Sequence, residues 1–191
     1  MIVVRQLVGL IGTNGAGKSY VCRLLQETGF AVVSLSDQVR LEAKRRGYPL
    51  TRDSLTQLAN EMKATRGQDC LAKDIFDEVK DQDRVVFDSI RNESEILFLN
   101  HNGVVFLGID APIELRFHRI QQRNRVDDQI DFTTFVQQDC RERDGSSSGQ
   151  NITLALSHCE TIIYNNGTQD ELNQHVRQFL EQQFSQQTWR G

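Results

Sequence analysis

Residues Gly12 to Ser19 read GTNGAGKS, with glycines at 12, 15 and 17 ahead of Lys18 and Ser19. An apolar run, VGLI, leads into the turn and an apolar-periodic stretch, YVCRLL, follows it. A flexible strand-to-helix connection would account for the glycines but not for the lysine. The spacing G-x-x-x-x-G-K-S between a strand and a helix is that of a phosphate-cradling loop. In such a loop the backbone N–H groups and the helix N-terminus converge on an anion. The lysine neutralises charge on the β- and γ-phosphates of a nucleoside triphosphate, and the hydroxyl ligates Mg²⁺. Gly12, Asn14, Gly15, Ala16, Gly17, Lys18, Ser19 and Tyr20 are therefore the expected nucleotide-binding residues, with Ser19 also on the metal.

Three other stretches carry chemistry-bearing side chains. RVVFDSIR ends an apolar run in Asp88, with Arg91 three residues later. A carboxylate at that place can hold a water on Mg²⁺ while the arginine faces the same cleft; a capping aspartate and a surface arginine are the plainer alternative. SLSDQVR brings Ser36, Asp37 and Arg40 together, and local chemistry alone would make it a capped helix start with an acid in the first turn. HRIQQRNRVDDQIDF is followed by DCRERD. Its periodicity predicts a helix with Arg116, Arg119 and Arg123 pointing away from an Ile113, Phe117 and Ile120 stripe, then a turn at 124–128. Taken singly, Arg116 and Arg143 read as solvated charges.

The elements that must position these residues follow from a repeated pattern. VVRQLVGLI, AVVSL, RVVFDSI, GVVFLGI and TIIY are short β-branched runs, each followed by helical periodicity. This predicts an α/β fold, a five-stranded parallel sheet covered by helices on both faces in three layers. Leu55, Leu58, Ala59 and Met62 keep the spacing of one covering helix, and Leu172, Val176, Phe179 and Leu180 that of another. Asn92 to Glu95 and Thr168 to Glu171 read as capped helix starts. Residues from about 36 to 80 and from about 121 to 150 interrupt the alternation as insertions, where ligands bind in open parallel sheets.

With 191 residues, 38% hydrophobic and 25% charged, the chain is expected to form one domain spanning 1–191. A net charge of −4 gives no electrostatic footprint for nucleic acid. No apolar run approaches the ~20 residues of a membrane span, and MIVVRQLV enters the first strand without a signal-peptide pattern. The expectation is a cytoplasmic monomer or homodimer with a small-molecule partner. Cys22, Cys70, Cys140 and Cys159 form no C-x-x-C pair, and the four histidines lack metal-ligand spacing.

In the order of its motifs the chain resembles the P-loop nucleoside monophosphate kinases. It is most similar to the adenylate kinase-like, archaeal-type nucleotide kinases, which are related to dephospho-CoA kinase and to deoxynucleoside monophosphate kinases. The resemblance runs from the P-loop through SLSDQVR, FDSIR and RNRVDD to YNNGT. It implies ATP and Mg²⁺ as cofactors, an acceptor-binding insertion over 36–80 and a lid over 121–150. Ser36, Asp37, Arg40 and Arg91 would bind a phosphorylated acceptor, Ser36 standing where the family has glycine. Asp88 would serve the metal; Lys18 and the lid arginines Arg123, Arg125 and Arg141 would act on the phosphoryl group in flight. Arg119, Asn166 and Gly167 would contact the adenine end. Asp37 either accepts a proton from a hydroxyl acceptor, as in dephospho-CoA, or only orients an ionised phosphate. An ATP-hydrolysing switch is the alternative of another class, and a GTPase is disfavoured because no N-K-x-D-like stretch is present.

Overall fold

The computed structural model describes residues 5–123, 130–145 and 151–184. Five strands, β1 (Gln6–Gly12), β2 (Ala31–Ser34), β3 (Arg84–Asp88), β4 (Val105–Asp110) and β5 (Thr161–Tyr164), pair in the order β2-β3-β1-β4-β5. Every pairing is parallel, with Gln6 level with Arg84 on one side of β1 and Gly12 level with Ile109 on the other. Each strand is followed by a helix, as parallel pairing requires: α1 (Lys18–Glu27), α2 (Leu35–Arg46), α5 (Glu93–His101), α6 (Ile113–Gln122) and α9 (Gln169–Phe184). The remaining helices are α3 (Arg52–Arg66), α4 (Cys70–Glu78), α7 (Phe132–Asp144) and α8 (Ile152–Ser157).

Period-two alternation divides the strands between two apolar cores. Leu7, Ile11, Val85, Phe87 and Phe106 join α2, α3, α4, α5 and α8 in one core. Val8, Leu10, Val86, Leu107 and Ile109 join α1 and α9 in the other. The result is the expected three-layer α/β/α arrangement, and all four cysteines are free. No helix among the described residues is long and apolar enough to cross a membrane.

The insertion expected over 36–80 is α2, α3 and α4, which pack on one another at the β2 edge of the sheet. Ser36 is not the cap of α2. The helix starts at Leu35, directly on the end of β2, so Ser34 is the N-cap and Ser36 lies in the first turn. Ser34 makes no cap bond; its hydroxyl turns sideways to Ser36 and Ser89 instead. Within the expected lid, α7 is described, whereas 124–129 and 146–150 lie outside the described residues, and Arg125 with them.

Candidate active site

The C-terminal ends of β1, β2 and β3 deliver the candidate residues to one rim of the sheet. β1 ends at Gly12, and a Cβ there would collide with the backbone carbonyl of Ile109 on the adjoining strand. The loop then turns back through Gly15, at φ 81°, to the first turn of α1, so that Lys18 and Ser19 open a helix N-terminus. Lys18 Nζ donates to the carbonyls of Gly12 and Thr13 at 2.7 and 2.9 Å. Burial pushes its pKa below the ordinary lysine value, while the charge of Asp88 pulls it back up. Arg91, Glu142 and Cys22 are also close enough to act on Lys18.

Asp88 ends β3 with its Oδ1 buried and without a hydrogen-bond partner among the described residues. A buried acceptor left unpaired costs about 1–3 kcal/mol, and an anionic oxygen beside a helix N-terminus that carries the Ser19 hydroxyl suits a hydrated Mg²⁺. Among the described residues no group of three or more His, Cys, Asp and Glu could hold a metal ion. Mg²⁺ at this place would therefore take most of its ligands from phosphate and water, the arrangement that ion prefers. The turn after Asp88 is braced by Glu95, which is buried, accepts from Arg91 N at 2.9 Å and Asn92 N at 3.2 Å, and pairs with Lys63 of α3 at 3.0 Å. This is the capping box expected at Asn92.

At the end of β2 the Arg40 guanidinium donates to Ser36 Oγ at 2.8 Å and Asp37 Oδ1 at 2.7 Å. Ser34 and Ser36 reach Ser89 Oγ at 3.0 and 3.4 Å. Ser89, at φ 64°, is the one non-glycine residue of positive φ among those described. Its hydroxyl lies 3.5 Å from Asp88 Oδ2. Hydroxyl groups therefore line the interval between the Asp88 end of the site and the Asp37–Arg40 end.

Opposite, the carbonyl of Ala16 accepts from Asn165 Nδ2 at 2.8 Å and Arg119 at 3.4 Å, and Arg119 also donates to the carbonyl of Asn165 at 3.0 Å. Asn166 and Gly167 continue into a cleft of about 260 Å³ that Glu171 and His175 of α9 also line. Arg123 reaches Asn14 Oδ1 at 3.0 Å.

A family model described as an AAA domain matches residues 8–146. A UPF0200 protein of Methanocaldococcus jannaschii is 34% identical over 154 residues, 78% of this chain and 78% of that protein. The chain belongs to the UPF0200 family. A UPF0200/UPF0201 protein of Archaeoglobus fulgidus is 28% identical over 94% of the chain, which spans only 56% of that longer relative. Among solved structures the fold matches TT1252 from Thermus thermophilus with a TM-score of 0.62 at 20% identity, covering 94% of this chain and 98% of that one. A shikimate kinase from Acinetobacter baumannii in complex with shikimate matches with a TM-score of 0.58 at 17% identity, covering 96% of each chain. The UPF0200 chain therefore has the fold of P-loop kinases.

Arginine placement in this UPF0200 chain departs from the helical-wheel expectation. Arg116 is not on a solvated face: its side chain is 1% exposed and it shares the buried side of α6 with Ile120. The reason is Asp139 on α7, whose two oxygens take NH1 and NH2 of Arg116 at 2.6 and 2.8 Å. Arg143 is likewise engaged, with Asp139 at 3.1 Å and Asp110 at 3.0 Å. Arg141 is exposed on α7, away from the side that carries Phe135, Asp139 and Arg143. The Tyr20 hydroxyl donates to Asn173 of α9 at 2.9 Å, so it faces that helix. Sequence reasoning passed over Asp110, Asp139, Glu142 and Ser89. The one signal for Asp139 was an acid at i, i+4 from an arginine, Arg143, on the same helix.

Proposed function

We propose that this chain is an ATP-dependent phosphotransferase that moves the γ-phosphoryl group to a small phosphorylated acceptor, a nucleoside or deoxynucleoside monophosphate. The observation that carries the reading is the spacing of charge along one rim. The charges of Asp88 and Arg91 both bear on Lys18 beside the P-loop, and Arg40 stands at the end of β2, beyond a bridge of serine hydroxyls. A rim with Lys18 toward one end and Arg40 at the other suits a reaction with a phosphate donor at the first and a phosphate acceptor toward the second. Lys18 would neutralise charge on the transferring group, Ser19 and Asp88 would hold the Mg²⁺ shell, and Arg40 and Arg91 would bind the acceptor phosphate. When bound, Mg²⁺ would offset charge on the phosphate oxygens. Arg123, already against Asn14, belongs to the set that would close over the phosphates; Arg125 is proposed there on its place in the sequence alone.

The serine bridge favours a second reading in which the acceptor reacts through a hydroxyl and Asp37 takes its proton. An ADP-release screen separates the possibilities, with ribo- and deoxynucleoside monophosphates, dephospho-CoA and no acceptor as its arms. ADP release that depends on a monophosphate supports the first reading, and release with dephospho-CoA alone supports the second. Turnover without acceptor, matched by free phosphate, would turn both aside in favour of a hydrolytic switch.

A further inference from the structure

The outer side of the P-loop is held by a closed circuit of polar groups in which Thr13, Asp110, Arg116 and Asp139 are buried, Arg143 is half-buried and Asn14 is exposed. Asn14 presents its carbonyl to Arg116 NH1 at 3.3 Å. The same guanidinium donates through Nε to Ala111 O at 2.8 Å and through NH1 and NH2 to Asp139. Asp139 also accepts from Arg143 Nε, and Arg143 NH2 reaches the two oxygens of Asp110 at 3.1 and 3.0 Å. Asp110 Oδ1 accepts the hydroxyl of Thr13 at 2.8 Å, which returns the circuit to the residue before Asn14.

Such a circuit is a poor device for stability. Buried ion pairs are often matched or exceeded by apolar side chains of similar volume, because desolvation cancels most of their attraction. What they supply is direction. A trans peptide is planar with its C=O and the following N–H pointing opposite ways. Holding the Asn14 carbonyl outward on Arg116 therefore turns the Gly15 N–H inward, toward the concave side of the loop. The carbonyl of Ala16, taken outward by Asn165 and Arg119, does the same for the Gly17 N–H.

We propose that Arg116 and Asp139 are positioning residues for polyphosphate: they set the Asn14–Gly15 peptide plane so that the Gly15 N–H faces the phosphates. They touch no substrate themselves. Because Asp139 lies on α7, the same contact ties that helix to α6. The inference rests on the phosphate-binding reading of the P-loop, not on the identity of the acceptor.

The test replaces the pair together, Arg116→Met with Asp139→Leu, so that neither charge is left buried alone. A second variant, Arg116→Lys, keeps the positive charge opposite Asp139 but offers one nitrogen in place of the three that reach Ala111, Asn14 and Asp139. Melting temperature is measured for each, and the affinities for ATP and for inorganic triphosphate are measured by calorimetry. The expected result is a double variant that melts near the wild type yet binds both probes at least about ten-fold more weakly, the loss that accompanies removal of one hydrogen bond to a charged group. Arg116→Lys is expected to lose affinity in the same direction, and it decides the matter if the double variant does not fold. Wild-type affinity in the folded variants would overturn the positioning role and leave the P-loop assignment standing. A wild-type chain that bound neither probe would overturn the phosphate reading, and this inference with it.

Discussion

Replacing Gly15 by alanine tests how tightly the P-loop is packed against α6. At φ 81° an L residue pays about 1–2 kcal/mol for the left-handed conformation. The added Cβ would also lie 2.6 Å from the carbonyl oxygen of Arg116 and 3.0 Å from its Cβ. Those atoms cannot swing aside as a side-chain tip would, so α6 or the loop must move, and forcing extra volume into a packed site costs about 1–3 kcal/mol. The two costs together come to roughly 2–5 kcal/mol. For a chain of this length each kcal/mol lowers the melting temperature by about 2–4 °C, which gives a fall of roughly 4–20 °C. Gly47 is the control: its φ is 72°, but nothing lies within 4 Å of the position its Cβ would occupy. Gly47→Ala should therefore pay only the conformational cost, about 1–2 kcal/mol. Thermal unfolding by circular dichroism in one buffer compares the two. If Gly15→Ala melted no lower than Gly47→Ala, the close approach of the loop to α6 would be refuted.

Lys18→Ala should lower ADP release by orders of magnitude while the melting temperature barely moves, since burial already penalises the ammonium and its loss relieves that cost; near-normal turnover would remove the phosphate role. Arg40→Ala should raise the acceptor KM by about ten- to a hundred-fold, the effect of losing one charge-assisted hydrogen bond, and leave the KM for ATP alone; steady-state kinetics with each substrate varied in turn checks this. Burial pushes the Asp139 carboxyl up, but hydrogen bonds and charge pairing with Arg116 and Arg143 outweigh it and hold its pKa below the ordinary value. Its stabilisation should be complete above the unfolded pKa of about 3.9 and disappear as the pH falls below that toward the folded value. A melting-temperature series carried into acid should show Asp139→Asn losing less stability than the wild type across that range.

The parts of the fold carried by local pattern were legible before the structure. The five β-branched runs are the five strands, and the alternation along β1 sorts Leu7 and Ile11 from Val8 and Leu10. The GTNGAGKS turn and the Asn92–Glu95 cap depend on neighbours within a few residues, so their spacing sufficed. Arg116 was misread because helical periodicity sorts residues by polarity and has no means of seeing a partner 23 residues away. A guanidinium that is to be buried looks, in one dimension, like one that is to be hydrated. The serine cluster was hidden for a similar reason: Ser34 and Ser89 are 55 residues apart and meet only because β2 and β3 end side by side.

The place of β1 in the sheet also bears on how the chain is made. The strand that leads into the P-loop is the central one, and both of its neighbours come later: β3 begins at Arg84 and β4 ends at Asp110. During synthesis one ladder of its backbone groups has no partner until β3, ending at Asp88, has followed, and the other none until β4, ending at Asp110, has followed as well. At about 5–20 residues per second, the hundred or so residues in between take roughly 5–20 seconds. Pairings of such long sequence separation also form slowly, because loop-closure entropy is lost before any contact is gained. The strand that leads into the glycine-rich turn is thus synthesised ahead of both its neighbours and enclosed only after both, and over that interval its apolar surface is open to aggregation.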